Sequence, residues 1–191
     1  MDASGYHTTI NTVYPYEAKT ISKSPIKRYV LTRDSLGYIT SISYHENNSN
    51  NIYSSRITDS DGIHKVVFEN DSLGRIIVST YYDLDGNVTQ RKDGVAIMKY
   101  EYDDWGNIST LKFYSASGKY TMNSRMYSKI TNECDAWGNI VKEQFYDQNE
   151  KLCYNSDNAA QRIIEYDKKG FPLSISILDA NGKPWVGKED Y

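Results

Sequence analysis

Tyr102-Asp103-Asp104-Trp105-Gly106-Asn107-Ile108 is followed, 32 residues on, by Cys134-Asp135-Ala136-Trp137-Gly138-Asn139-Ile140. The same Asp-x-x-Gly frame occurs at Asp34 to Gly37, Asp71 to Gly74 and Asp167 to Gly170. From Asp71 onward the aspartates step by 32, whereas Asp34 and Asp71 are 37 apart. The extra five residues are assigned to the polar stretch Asn47-Asn48-Ser49-Asn50-Asn51, read as a loop insertion. Asp2-Ala3-Ser4-Gly5 stands 32 before Asp34, so the array is expected to open on the same turn. A fixed period of this length is the mark of a repeat architecture. The units are placed at 2–33, 34–70, 71–102, 103–134, 135–166 and 167–191.

A second marker follows twelve residues after the first and keeps the same period. It reads Asp83-Leu84-Asp85-Gly86, Ser115-Ala116-Ser117-Gly118, Asp147-Gln148-Asn149-Glu150 and Asp179-Ala180-Asn181-Gly182. Aspartate at the first position can accept a bond from the backbone two residues on. Glycine at the fourth accepts the positive φ of a type I turn with a G1 bulge. Glu150 breaks that rule, so its turn is expected to be looser or differently shaped.

Between the turns lie strand-like stretches, β-branched and aromatic residues alternating with polar ones. After the first turn these are 76–82, 108–114 and 140–146; before it, 65–70, 97–102, 129–134 and 162–166. Alternate residues of a strand face opposite sides. The set Ile77, Ser79, Tyr81; Ser109, Leu111, Phe113; Val141, Glu143, Phe145; Leu173, Ile175, Ile177 is expected to be the more buried face. The other set is wetter in its middle and ends in Tyr82, Tyr114 and Tyr146. The expected fold is all-β: tandem hairpin repeats in an antiparallel meander, each unit ending in a third short strand, forming one elongated, twisted or coiling sheet. One unit cannot bury its apolar face alone, so neighbours must stack.

Composition agrees with a thin, half-buried structure. Of 191 residues 39% are hydrophobic, and 18 are tyrosines, which bury a ring while keeping the hydroxyl wet. The net charge of -3 gives no electrostatic pull toward nucleic acid. No apolar run is long enough to cross a bilayer, and Met1 to Gly5 has no signal-peptide pattern.

Tyr102-Asp103-x-x-Gly106-Asn107-Ile108, Cys134-Asp135-x-x-Gly138-Asn139-Ile140 and Tyr166-Asp167-x-x-Gly170 resemble the YD repeats of the Rhs and teneurin-like proteins, over roughly residues 25 to 191. The resemblance implies successive hairpins in a long coiling sheet. In Rhs-type toxins such a sheet makes a shell around a cargo, and elsewhere such repeats serve at cell surfaces. An extracellular or cell-surface setting is therefore implied by the resemblance alone. The regular 32-residue unit is longer than that family's. The stretch Tyr81 to Asn87 is also similar to the aromatic hairpins of choline- and glucan-binding cell-wall repeats.

No catalytic constellation is legible, so the chain is read as a non-enzyme without cofactor. His7, His45 and His64 are read as surface or strand histidines with no serine or cysteine partner. Acids recurring in every unit point to a structural need, since a catalytic pair usually occurs once. Asp83-x-Asp85-Gly86 and Asp59-x-Asp61-Gly62 resemble the start of calcium loops but lack the downstream glutamate, and are read as metal-free turns. Cys134 and Cys153 are expected as free thiols on strands flanking a common neighbour, too far apart to bridge. Trp105 and Trp137 share one turn position, held elsewhere by Leu36, Leu73 and Lys169. They are read first as turn-to-turn packing. As an alternative they form, with the row Tyr82, Tyr114 and Tyr146, a stacking platform for sugar rings. The expected partner is accordingly a protein or a cell-surface glycan, with neither nucleic acid nor membrane insertion. Unpaired sheet edges add a route to edge-to-edge self-association.

Overall fold

The computed structural model describes residues 28–46 and 55–185. The turn at Asp2, the asparagine stretch 47–51 and His7 lie outside the described residues. Ten strands are present: β1 (Arg28–Arg33), β2 (Ile39–His45), β3 (Lys65–Asn70), β4 (Ile76–Tyr82), β5 (Ile97–Tyr102), β6 (Ile108–Tyr114), β7 (Lys129–Cys134), β8 (Ile140–Tyr146), β9 (Gln161–Tyr166) and β10 (Pro172–Leu178). They form one antiparallel sheet in sequence order, a meander without crossover. The seven strands β3 to β9 coincide with the stretches expected from alternation, to within one residue.

Each first turn closes a hairpin in the same way. In the Asp103 turn the Asp103 N–H donates to the Asn107 carbonyl at 2.9 Å and the Gly106 N–H to the Asp103 carbonyl at 3.1 Å. Asp103 Oδ1 accepts the N–H groups of Trp105 and Asn107 at 2.9 and 2.8 Å. A register shift sits at the Glu101/Tyr102 step, the bulge that this turn imposes. The structure corrects the expected third strand: after the second turn a single residue bridges back, pairing Tyr82 with Val88, Tyr114 with Tyr120 and Tyr146 with Leu152. The matching early pair is His45 with Arg56, eleven positions apart rather than six. The five-residue insertion is therefore bracketed between His45 and Arg56.

A third turn carries the same period. It runs from Asp59 to Gly62, Arg91 to Gly94, Asn123 to Met126 and Asn155 to Asn158, each closed by a bond from the fourth N–H to the first carbonyl. Its fourth residue has positive φ throughout, including Met126 at 68° and Asn158 at 59°. Such a φ is strained for a side chain other than Gly, Asn or Asp. Glu150, in the second turn, likewise takes φ 59°. The expectation of a looser turn there is corrected. Glu150 N–H still reaches the Asp147 carbonyl at 3.2 Å. Its carboxylate accepts from Tyr120 Oη at 3.1 Å and Lys129 Nζ at 3.0 Å, contacts that offset the strain.

The third turn delivers the core. The pairs Ile63-His64, Val95-Ala96, Tyr127-Ser128 and Ala159-Ala160 that follow it are all buried. Ile63 joins Tyr44, Val66, Phe68 and Tyr81 in one cluster; Val95, Tyr127 and Ala159 join Phe113 and Phe145 in a second. Met98 packs against both clusters. Burying a side chain such as Phe145 contributes about 2–3 kcal/mol. The face named from the sequence is the buried one at Ser79, Tyr81, Phe113 and Phe145. It fails in the last hairpin, where Leu173 and Ile175 on the edge strand β10 are 69% and 59% exposed.

The second residue of each buried pair joins neighbouring hairpins by its backbone. The Ala96 N–H donates to the Tyr114 carbonyl at 2.8 Å, and the Ala96 carbonyl accepts from Tyr81 N–H at 3.0 Å. Ser128 repeats this between Tyr146 and Phe113 at 2.7 and 2.9 Å. Side chains here are tightly enclosed, and the buried Ser128 hydroxyl has no hydrogen-bond partner among the described residues. Alanine holds the corresponding positions 96 and 160. Removing an unpaired buried hydroxyl without changing shape is stabilising. Ser128→Ala is expected to raise the free energy of unfolding by about 1 kcal/mol, read as a shifted urea midpoint at unchanged slope; a lowered midpoint would mean that the hydroxyl has a partner.

Candidate interaction surface

The first turns of all five hairpins line one end of the sheet, and the second and third turns line the other. At the first end the Asp-x-x-Gly frame holds its third side chain clear of the protein. Trp105 and Trp137 are 85% and 87% exposed. Turn-to-turn packing by these indoles is thereby corrected. The residue after the glycine makes that contact instead: a Cβ on Gly138 would lie 3.0 Å from Asn107 Oδ1, and one on Gly74 would lie 2.3 Å from the Tyr38 ring. The turns stack through Tyr38 and Asn107, and the indoles project beyond them.

The tyrosine of the Tyr-Asp pair has its own task. Tyr102 Oη donates to the Ile76 carbonyl at 2.7 Å, and Tyr166 Oη to the Ile140 carbonyl at 2.9 Å. Each stitches its hairpin to the preceding one. Asn70 does the same to Ile39 at 3.0 Å. Cys134 occupies this position in the fourth repeat, and there Asn132 donates to Ile108 at 3.1 Å. Both cysteines are free; Cys134 ends β7, while Cys153 lies beyond β8 and not on a strand, with its N–H on the Phe145 carbonyl. Burial raises both thiols, Cys153 to about 11, so neither is a ready thiolate.

The row of Tyr82, Tyr114 and Tyr146 is half-buried at the opposite end. Lys129 Nζ lies 4.3 Å from the Tyr146 ring centroid and Lys99 Nζ 5.0 Å from that of Tyr114. Tyr120 stacks on Tyr114 at 4.8 Å with 15° between planes. The Tyr114 and Tyr146 rings thus already have partners, so the structure does not bring this row together with the indoles, which stand at the far turns.

The histidine expectation also needs correction. Ser43 Oγ lies 3.0 Å from His45 Nε2 on one face of β2. His64 is buried, with Nδ1 2.9 Å from the Ile57 carbonyl, and its ring lies 5.6 Å from that of His45. A Ser-His pair on alternate residues of one strand carries no motif, which is why spacing missed it. A triad would need a carboxylate orienting the imidazole. Asp83, an acid lining the same cleft, has Oδ1 bonded to the N–H groups of Asp85 and Asn87 and Oδ2 to the Asn87 side chain.

The fold and these surfaces define an all-β tandem hairpin repeat protein. No family model matches the chain, and no curated protein matches it. Among solved structures it is similar to a Photorhabdus luminescens Tc holotoxin pore and to a TcdB2-TccC3 complex, each at 14% identity with a TM-score of 0.40. Each match covers 82% of this chain and 8% of the other, so the chain spans a small fraction of those proteins.

The turn aspartates give the surface a pH signature. The Asn107 and Asn139 side chains, then backbone N–H groups, hold Asp103 and Asp135 below the ordinary carboxylate value. Backbone N–H groups of Asn87, Lys151 and Lys183 lead the same effect at Asp83, Asp147 and Asp179. A depressed folded value contributes stability above the unfolded value that is lost as pH falls through the folded one. Asp59 runs the other way, raised mainly by burial, and its stability is lost as pH rises. Asp71 and Glu150 are lowered as well, so seven lowered carboxylates outnumber one, and the melting temperature is expected to fall below about pH 4. Asp103→Asn, which keeps an acceptor oxygen, should flatten that fall; an unchanged acid limb would contradict the assignment.

Proposed function

We propose that the chain is a non-catalytic structural repeat module, a scaffold for protein assembly within a bacterial surface or secreted protein. The observation that carries this reading is the linkage made at positions 96, 128 and 160, where one backbone residue bonds the hairpins on both sides. A module joined this way extends by adding units and offers its edges and turn tips to partners. Among the described residues β1 and β10 are the outermost strands of the sheet, and exposed Leu31, Leu173 and Ile175 give them apolar character. Such edges favour partner strands or self-association. The surface or secreted setting rests on the resemblance of the Tyr-Asp-x-x-Gly frame to YD repeats.

A second reading, a carbohydrate or cell-wall binding module, is favoured by one observation: Trp105 and Trp137 are presented almost bare on adjacent turns. An exposed pair of rings suits sugar stacking as well as a protein groove. The covered rings of Tyr114 and Tyr146 make the indoles the better contact.

Two experiments separate these readings. Deleting 103–134 joins Tyr102 to Asp135 and removes one period. A nearest-neighbour array should keep its β-sheet circular dichroism and lose only part of its thermal midpoint; an unfolded product would sink the modular scaffold. On a glycan array the scaffold reading expects flat responses. Specific binding abolished by Trp105→Ala and Trp137→Ala, at a stability change within about 0.5 kcal/mol, would instead establish the sugar module.

A further inference from the structure

The repeat departs from itself most strongly at one place. A cleft of about 530 Å³ opens on the sheet face opposite Val66 and Tyr44, between β2, β3 and the turn at Asp83 to Gly86. Later units bridge the end of each hairpin with apolar or aromatic pairs: Tyr82 with Val88, Tyr114 with Tyr120, Tyr146 with Leu152. Here the corresponding pair is His45 with Arg56. The linking position held by Ala96, Ser128 and Ala160 is His64.

Lys65 stands beside these residues. It pairs in register with Tyr82, as Lys129 does with Tyr146. Lys129 is neutralised by Glu150 at 3.0 Å. Glycine 86 stands where Glu150 stands two units later, so Lys65 has no carboxylate at that place. Among the described residues neither Lys65 nor Arg56 forms an ion pair, and both line the cleft. Asp83, the acid in the lining, is occupied by its own turn.

We propose that this cleft binds a small oxyanion, phosphate or sulfate, free or as the terminal group of an ester. Lys65 and Arg56 supply the charge. Ser43, His45 and His64 supply hydrogen-bonding groups at the wall. A guanidinium beside an ammonium is a standard recognition set for tetrahedral oxyanions. Two cations at the wall disfavour a metal ion on the imidazole pair. The cleft is separate from the indole-bearing turns and does not depend on the scaffold reading.

The test is a titration of the isotopically labelled 191-residue chain with inorganic phosphate, sulfate and glucose 6-phosphate, followed by amide chemical shifts. Saturable shifts centred on Ser43, His45, His64 and Lys65 are expected. Equal affinity for phosphate and glucose 6-phosphate identifies the free anion as the ligand; tighter binding of the ester identifies an anion carried on a larger molecule. Lys65→Gln and Arg56→Gln should each weaken binding about tenfold, Lys65→Arg should retain it, and Lys119→Gln, on an exposed turn, should not change it. Shift mapping on the unsubstituted chain decides the matter even where a variant misfolds. Absent saturation, weakening by Lys119→Gln equal to that by Lys65→Gln, or zinc binding in place of phosphate would overturn the site.

Discussion

The structure depends on one backbone position. A hairpin of two short strands cannot bury enough apolar surface to stand alone. Its neighbour must be fixed in register, and the residue at 64, 96, 128 and 160 does this. Its N–H serves the hairpin that follows, and its carbonyl serves the hairpin before. The residue just before it, Ile63, Val95, Tyr127 or Ala159, enters the core. Register and burial are therefore set by one dipeptide, and the third turn exists to aim it. At the other end the stitch from Asn70, Tyr102 or Tyr166 to the preceding hairpin closes the same interface. Between these two ends the strands need only alternate.

That division explains what could be read from the sequence. Strand limits such as 76–82 and 108–114 were legible because alternation and the Asp-x-x-Gly frame state them directly. Arg91 to Gly94 and Asn155 to Asn158 read from the sequence as loops joining units, but a common third turn was harder to see, because its first residue varies through Asp59, Arg91, Asn123 and Asn155 and its fourth through Gly62, Gly94, Met126 and Asn158. Positive φ is imposed there by the fold, against residue preference at Met126. The period of 32 was the available signal, and the small or apolar pair after each turn was its confirmation. The Tyr102 stitch was invisible for another reason: it joins residues 26 apart, and no local pattern encodes it.

The same logic bears on the surface residues. Trp105 and Trp137 share a position with Leu36, Leu73 and Lys169, which from the sequence suggested packing. The structure assigns packing to the residues after the glycines and leaves the indoles bare. The tyrosine row was legible as a row. Its covering by lysines was not, because Lys99 and Lys129 reach their rings from the neighbouring strand.

A repeat protein supplies its own controls. Where every unit has the same residue, architecture is sufficient reason for it. Where one unit differs and its neighbours do not, architecture cannot be the reason, since the other copies, three at His64 and four at His45 and Arg56, fold without the change. Isolated substitutions are expected from drift. His45, Arg56 and His64 are such departures, and with Lys65, whose place Lys129 shares, they line one cleft beside the frame glycine Gly86, where Lys129 instead meets Glu150. Among the described residues, exposed Arg56 and half-buried Lys65 stand on one wall without an ion-pair partner. Like charges brought to one wall repel, and an anion held between them relieves that repulsion. This arrangement occurs in one unit only, so the proposed specificity lies in the unit that breaks the pattern and not in the frame that repeats.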